Sequence, residues 1–493
     1  MWKLKIGKGN GKWLFSTNNF LGRQTWEFDD EVGSPEERAQ VENSRMNYSL
    51  NRSRIKPSAD LLMQIQLMKE NEADLTSLPN VKVEKIEEIT DEIVTIALKK
   101  ALKFTLGLQA EDGHWPAETS GPLFYTPLLL MILYISGTMD TIVTKEHKKE
   151  IIRHIYNHQN EDNGWGFHIE DDSTMLSTSF NYIALRLLGE DANFSSISKA
   201  RQWILDHGGL TMIPSWGKMA LSVLGVYEWL GCNPVPPELI LLPHFLPFHA
   251  GKLLCYLRDT YMPLAYLYGR KYVAPITDLV LCLRQELYNQ HYGTINWDNA
   301  RHSCFKNDLF TPRSFVVDVM WDIFHYFIEP LEEKLWPFSI LRQKSLPKIM
   351  AMIHYEDENS RYINLGCVNK FLHMMACWVE NPNPNSYYFQ CHLARIPDYL
   401  WVAEDGMKVQ NIAAQLWDTA LATQAIIASN LDDEFGATLK KANNFLKETQ
   451  IQENPSSNFR SMYRYPCKGS WTVSNRDQGW PVSDCTAEAL KVE

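Results

Sequence analysis

Three tryptophans, Trp115, Trp165 and Trp216, stand 50 and 51 residues apart in the chain. The first two close the same local pattern, Gln109-x3-Gly113-x-Trp115 and Gln159-x4-Gly164-Trp165. A degenerate copy runs from Gln202 to Trp216, and a weaker one is Gln290-x2-Gly293-x3-Trp297. The last spreads from Gln450 to Gly469 and Trp471, then Gln478-Gly479-Trp480. Such a period holds two helices and two loops, and stacked helix pairs either run open or close into a ring. In each unit the Gln amide ties a helix end to the next loop while the Trp ring stacks over that end. These residues therefore read first as structural.

The text between the repeats is helical. Ile93, Ala97, Ala101, Phe104 and Leu108 share one helix face, with Asp91 and Glu92 at its positive N-terminal end. Ile412, Leu416, Ala420 and Ile427 share another. No alternating run is long enough to found a sheet, so the chain is expected to be nearly all helix. Residues 1–90 read as an irregular, sparsely helical arm. No strand precedes Gly7, Gly9 and Gly11, which argues against a dinucleotide loop.

Composition narrows the function classes. Hydrophobic residues at 45% and charged residues at 22% exclude a disordered or fibrous chain. The net charge of −11 and the lack of a long basic run exclude a nucleic-acid binder. Nine cysteines scattered from Cys232 to Cys485, none in Cys-x-x-Cys, read as reduced thiols rather than a zinc ribbon or disulfide framework. The start, Met1-Trp2-Lys3-Leu4-Lys5, carries no signal-peptide core. Pro122 to Gly137 is too short and broken to span a membrane.

The Gln…Gly…Trp loops resemble the repeats of triterpene cyclases, and longer stretches resemble oxidosqualene cyclases, especially plant ones. These stretches are Phe15 to Phe20, Gly22 to Phe28, His354 to Tyr362 and Arg395 to Trp401, and the likeness covers residues 1–493. The most specific element is Asp484-Cys485-Thr486-Ala487-Glu488, which in that family carries the acid that starts the reaction. The resemblance implies an N-terminal arm over 1–90, a first, inserted α/α barrel over 91–395, and the beginning of a catalytic α/α barrel over 396–493. It also implies 2,3-oxidosqualene as substrate, reached from a membrane face of the endoplasmic reticulum or a lipid droplet, and an isomerisation with no cofactor and no metal.

Opening an epoxide requires an acid that stays protonated until the substrate arrives, which apolar burial favours. On residues alone, Asp484 caps a helix; the resemblance makes it the proton donor, with Cys485 as its hydrogen-bond partner and Glu488 on the proton-return route. Aromatic faces stabilise a growing cation without trapping it. Trp417 and Trp216 match cavity positions of the family, against core packing as the alternative. Tyr256 stands where sterol-forming members carry His and many other members carry Tyr, which points away from a sterol product. Leu254 and Leu257 replace a usual Trp and Cys, and Val473 replaces a usual cavity Phe. Ile240 to Phe248, broken by Pro243 and Pro247, is expected either to dip into one leaflet or to pack between helices.

Other chemistries lack their residues. Asp29-Asp30, Asp171-Asp172 and Asp432-Asp433 have no third Asp for a diphosphate-bound Mg²⁺. The absence of Asp-x-Asp-Asp speaks against squalene–hopene and class II diterpene cyclases, and adjacent Asp484 and Cys485 cannot form the Asp-x-Cys zinc site of prenyltransferases. Glu356-Asp357-Glu358 reads as surface or loop-capping charge. Family members continue well beyond the position of Glu493, so these residues alone are expected to be inactive. The rival reading is a non-catalytic helical-repeat protein that binds a partner or lipid through its first barrel.

Overall fold

A computed structural model describes residues 1–54, 60–86, 89–246, 249–312, 314–330, 338–430 and 432–492. The N-terminal arm departs from the all-helix expectation. Strands β1 (Trp2–Ile6) and β2 (Gln24–Phe28) pair antiparallel, with Trp2 opposite Phe28. The cause is a short alternation: Trp2, Leu4 and Ile6 are buried while Lys3 and Lys5 lie half out. Five residues suffice because the edge is tied elsewhere. The Gln66 side chain of helix α2 (Leu61–Glu70) both accepts from Leu4 N (2.8 Å) and donates to Leu4 O (2.9 Å). A second hairpin joins β3 (Leu400–Ala403) to β4 (Gly406–Val409), and the rings of Trp26 and Trp401 meet edge to face at 5.4 Å between the two sheets.

The remaining long helices follow in order: α1 (Pro35–Asn51), α3 (Asp91–Gly107), α4 (Tyr125–Ile135), α5 (Lys145–Asn157), α6 (Met175–Leu187), α7 (Ser195–Asp206), α8 (Ser215–Leu224), α9 (Cys255–Arg270), α10 (Asp278–Glu286), α11 (Phe315–Ile323), α12 (Phe338–Asn359), α13 (Cys367–Glu380), α14 (Tyr387–Ala394), α15 (Gln415–Ala428), α16 (Asp432–Thr449) and α17 (Ser483–Leu490). Five of them form an inner layer. Helix α4 packs on α6 and α8, α8 on α9, α9 on α13, and α13 returns to α4, which closes a ring. Helices α4, α6 and α13 are buried over most of their length, and each fully buried Leu or Ile contributes about 1.5–3 kcal/mol. Helices α7, α10, α12 and α14 back the ring from outside. The architecture is therefore an α/α toroid followed by the helices of a further unit, α15 to α17.

Helix α3 forms where its periodicity predicts, with Thr90 as its N-cap and Asp91 and Glu92 in its first turn. Its predicted face is not the buried one, however: Ala97, Ala101 and Phe104 are exposed, and Leu102 points inward. Leu102 and Trp115 share a core with Ile426, Phe435 and Ala442, so α3 packs with α15 and α16 rather than with the ring. In α15, likewise, Leu416 and Ala420 are buried, but Ile426 takes the inward position and Ile427 faces out.

Three repeat loops share one set of bonds. The indole Nε1 of Trp115 donates to Thr105 O (2.7 Å), that of Trp165 to Ile155 O (2.8 Å) and that of Trp471 to Leu446 O (2.8 Å). Each caps a carbonyl in the last turn of the preceding helix, where intrahelical donors run out. The glutamines lock the loops: Gln109 Nε2 reaches Gly113 O (2.9 Å) and Thr438 O (3.1 Å), Gln159 Nε2 reaches Asn163 O (2.9 Å) and Ser196 O (3.2 Å), and Gln450 Nε2 reaches Gly469 O (3.0 Å). Gly113, at φ +103°, is required because a Cβ there would lie 2.3 Å from Lys441 O. The degenerate copies do not reproduce this. Gln202 bonds Asp206 in its own helix, and Trp216 lies in the first turn of α8.

Candidate functional site

The predicted residues fall into two groups. Trp216 sits half-buried at the start of α8, its ring 4.6 Å from that of Phe124 and 6.0 Å from that of Phe180. Phe124 also meets Phe167 at 5.2 Å. Tyr256, the second residue of α9, is partly exposed and lies against Gly366, where an added Cβ would stand 3.5 Å from both the Tyr256 ring and Asn411 Oδ1. Asn411 also accepts from the Tyr125 hydroxyl (3.4 Å), and its backbone carbonyl accepts from Cys367 N (3.0 Å). Burial, then the neighbouring Cys367, raises the Tyr125 hydroxyl far above its ordinary pKa, so it stays neutral. Phe124, Tyr125, Cys367 and Asn411 carry no repeat or motif that singles them out; only the ring brings them together.

The second group surrounds α15 and α17. Trp417 N donates to Val473 O (3.3 Å), and both side chains pack against Leu416, Ala420, Leu446, Trp471, Cys485 and Ala489. Helix α17 starts at Ser483 with Val482 as its cap residue, so Asp484 lies in the first turn and is not the cap. There its charge still suits the helix dipole. Asp484 is exposed, whereas Cys485 is buried, and burial followed by the adjacent Asp484 pushes the thiol up to about 12. Cys485 bonds Asp484 through its backbone N–H, at 3.1 Å to Oδ1. Glu488 accepts from Lys491 (2.7 and 2.8 Å) and from Gln424 Nε2 (2.9 Å), and these two donors hold its carboxyl below the usual range. Asp418, beside Trp417, is pushed up to about 6 by burial, with the charge of His114 pulling the other way.

The expectation for Glu356-Asp357-Glu358 is overturned for two of its three residues. Asp357 is fully buried, with His373 Nδ1 at 2.8 Å, His392 Nε2 at 3.1 Å and Asn364 Nδ2 at 2.6 Å. His373 reaches on to Asp259 (3.2 Å). Burial alone would raise Asp357, but His392 and His373 hold its carboxyl well below the usual range. Burial likewise opposes a charge on His373, yet Asp259 and Asp357 on either side raise it well above 6.5. Lys370, 2.8 Å from His392 Nδ1, is pushed down to about 7 by burial. Glu356 pairs with Arg464 (2.6 Å), whose guanidinium stacks on Trp480 at 3.8 Å. Only Glu358 is exposed. Glu356 and Asp357 lie on the inward side of α12, which packs on α9 and α13, and a sequence run of three acids does not reveal this.

The surface holds a feature the sequence reading missed. In α11 and the wider turn Phe324–Ile328 that continues it, Phe315 (80% exposed), Val316 (73%), Met320, Ile323 and Phe327 (66%) face outward, next to Phe310. The polar residues of the same stretch are engaged at the surface: Asp322 pairs with Arg301 (2.5 Å) and His302 (2.7 Å), and the Tyr326 hydroxyl donates to Asp298 (2.6 Å). In the segment read either as dipping into a leaflet or as packing between helices, Ile240 is buried and Phe245 exposed, while Pro247 and Phe248 lie outside the described residues. Among the described residues no helix is long and apolar enough to cross a membrane.

Residues 98–401, the ring and the strand that follows it, match the family model described as the squalene-hopene cyclase N-terminal domain. The chain belongs to the oxidosqualene cyclase family. It is 43% identical over 501 aligned residues to the alpha-onocerin synthase LCD of Lycopodium clavatum, covering 100% of this chain and 65% of that one. It is 39% identical to the cycloartenol synthase of Dictyostelium discoideum and 38% identical to the lanosterol synthase of Homo sapiens. Those matches cover 80% and 79% of this chain and 55% and 52% of the relatives. The chain thus spans between about half and just under two thirds of the cyclases it matches.

Proposed function

We propose that this chain serves the proton-initiated cyclisation of 2,3-oxidosqualene to a non-sterol, pentacyclic-type triterpene alcohol. The observation that carries this reading is the 43% identity to an onocerin synthase over an alignment that spans the whole chain, the segment around Asp484 with it. Asp484 is the proton donor in this reading. Trp417 and Trp216 offer π faces to the cation, and Val473 leaves room where a ring would otherwise stand. Tyr256 supports a non-sterol outcome. The outward apolar face of α11 supports seating on the surface of the endoplasmic reticulum or a lipid droplet, because an apolar patch of this kind is costly in water.

Asp484 is exposed in residues 1–493, where water would level the acid and quench a carbocation. These residues by themselves are therefore inactive in this reading, and activity requires further protein over α17. The test is expression in a host without its own cyclases, followed by product analysis. Residues 1–493 should give no cyclic triterpene, and a chain completed with the remaining barrel of a relative should give one that Asp484→Asn abolishes. A cyclic product from residues 1–493 refutes the exposure argument. A folded, completed chain without product favours the non-catalytic repeat protein.

A further inference from the structure

The turn of the β3–β4 hairpin is pressed against helix α5. Gly406, at φ +126°, permits this contact, since a Cβ there would lie 2.5 Å from both Glu150 O and His154 N. The approach delivers the carboxylate of Asp405 to two histidines one helical turn apart. His158 Nε2 lies 3.0 Å and His154 Nε2 3.7 Å from Asp405 Oδ2. The two imidazole rings are 4.4 Å apart, and the three candidate ligand atoms all lie within 4.8 Å of one another. All three residues are buried.

We propose that His154, His158 and Asp405 form a buried three-ligand site for one zinc-type transition-metal ion, which fastens the hairpin to α5. Histidines at i and i+4 with a third, carboxylate ligand from another element make a donor set suited to zinc. Ligand atoms at about 2.0–2.2 Å from a tetrahedral ion stand about 3.3–3.5 Å apart, a spacing that the two observed distances bracket. Hydrogen bonding alone leaves the cluster incomplete. His154 Nε2 is too far from Asp405 to bond it, and Asp405 Oδ1 is buried with no partner.

Charge and support agree with a cation. Lys408 pairs with Asp405 Oδ2 (2.9 Å) and with Glu118 (2.7 Å), so two carboxyl groups meet one ammonium beside the histidines. Asn157 Nδ2 holds the Asp405 backbone carbonyl (2.9 Å), and the Tyr48 ring covers His158 at 6.0 Å. Such outer partners orient metal ligands. Three protein ligands leave the fourth position for a water molecule. Nothing in this site bears on epoxide opening, so it stands independently of the cyclase reading.

The test uses untagged protein of residues 1–493, stripped with a chelator and titrated with Zn²⁺ and, separately, Co²⁺. The expected result is one ion per chain, a visible Co²⁺ spectrum of tetrahedral intensity, and a Tm raised by Zn²⁺. His154→Phe, which keeps a ring in the gap, should lose the spectrum and the Tm shift. X-ray absorption of the unmodified Zn²⁺ form gives a check that needs no variant: two imidazoles with oxygen and no sulfur. Absence of stoichiometric binding, sulfur ligation, or a folded His154→Phe that binds like the wild type overturns the proposal.

Discussion

Trp165→Phe separates the packing of a repeat tryptophan from its capping bond. The side chain is fully buried, its Nε1 donates to Ile155 O at 2.8 Å, and its backbone N–H donates to Thr178 Oγ1 at 3.0 Å, a contact the variant keeps. Ile155 lies in the last turn of α5, and the donor of residue 159 goes to Tyr156 O instead (3.4 Å). Phenylalanine therefore strands a buried carbonyl, which costs about 1–3 kcal/mol. The smaller ring adds about 0.5–1.5 kcal/mol, by analogy with small core truncations. The expected loss is thus about 2–4 kcal/mol, read from the urea midpoint at constant slope. Trp216→Phe is the control. Its ring is only half-buried and packs against Phe124 and Phe180, so it should cost less than about 1 kcal/mol. If Trp165→Phe fell within about 0.5 kcal/mol of wild type, or matched the control, capping would not be the reason for the repeat.

Asp357→Asn should cost about 3–5 kcal/mol, because it leaves His373 and His392 buried without their shared carboxylate. The Asp357 carboxylate, held well below its usual range, contributes above about pH 4 and is lost as pH falls through its depressed value. The raised His373 contributes fully below about pH 6.5 and is lost as pH climbs through its folded value. The difference in denaturation free energy between wild type and variant should accordingly narrow at both ends of a pH series, and a flat difference would contradict the ion network. Replacing Phe315 and Phe327 by Glu should reduce co-sedimentation with phospholipid vesicles while leaving the circular dichroism unchanged; full retention of vesicle binding would remove α11 from the membrane surface. In a completed, active chain, Tyr256→His should alter the product profile by mass spectrometry, and an unchanged profile would mean that Tyr256 does not face the substrate.

Repeat residues were legible because their chemistry is local. In the three regular units a Gln and a Trp find the same kinds of partner at a helix end, even where the loop lengthens before Trp471. The N-terminal strands were missed although Trp2, Leu4 and Ile6 alternate, because five residues satisfy a strand only when Gln66 and a second strand are supplied from elsewhere. The buried face of α3 was misjudged for a related reason: its partners, Ile426 and Ala442, lie more than three hundred residues away. Asp357 shows the limit most sharply. Three consecutive acids look like solvated charge until His373, His392 and Arg464 arrive from three other parts of the chain. The grouping of Trp417, Val473 and Cys485 was available from family likeness alone, whereas Tyr125 and Asn411 required the closed ring.

The N-terminal arm is fastened to residues that follow it by several hundred positions. Thr17 N donates to Asp477 Oδ1 at 2.7 Å across 460 residues, Arg395 reaches the carbonyl of Phe15, and Gln415 Nε2 holds Gly22 O at 2.8 Å. At about 5–20 residues per second, a ribosome takes roughly 25–90 s to supply Asp477 after Thr17. Through that interval the toroid has the time to form, while the first strand, with its Trp and Leu, waits without its final anchor. The newborn protein therefore offers chaperones and proteases an apolar leader of fixed duration, and codons that slow translation between Gly22 and Asp477 would lengthen that exposure without changing a single residue.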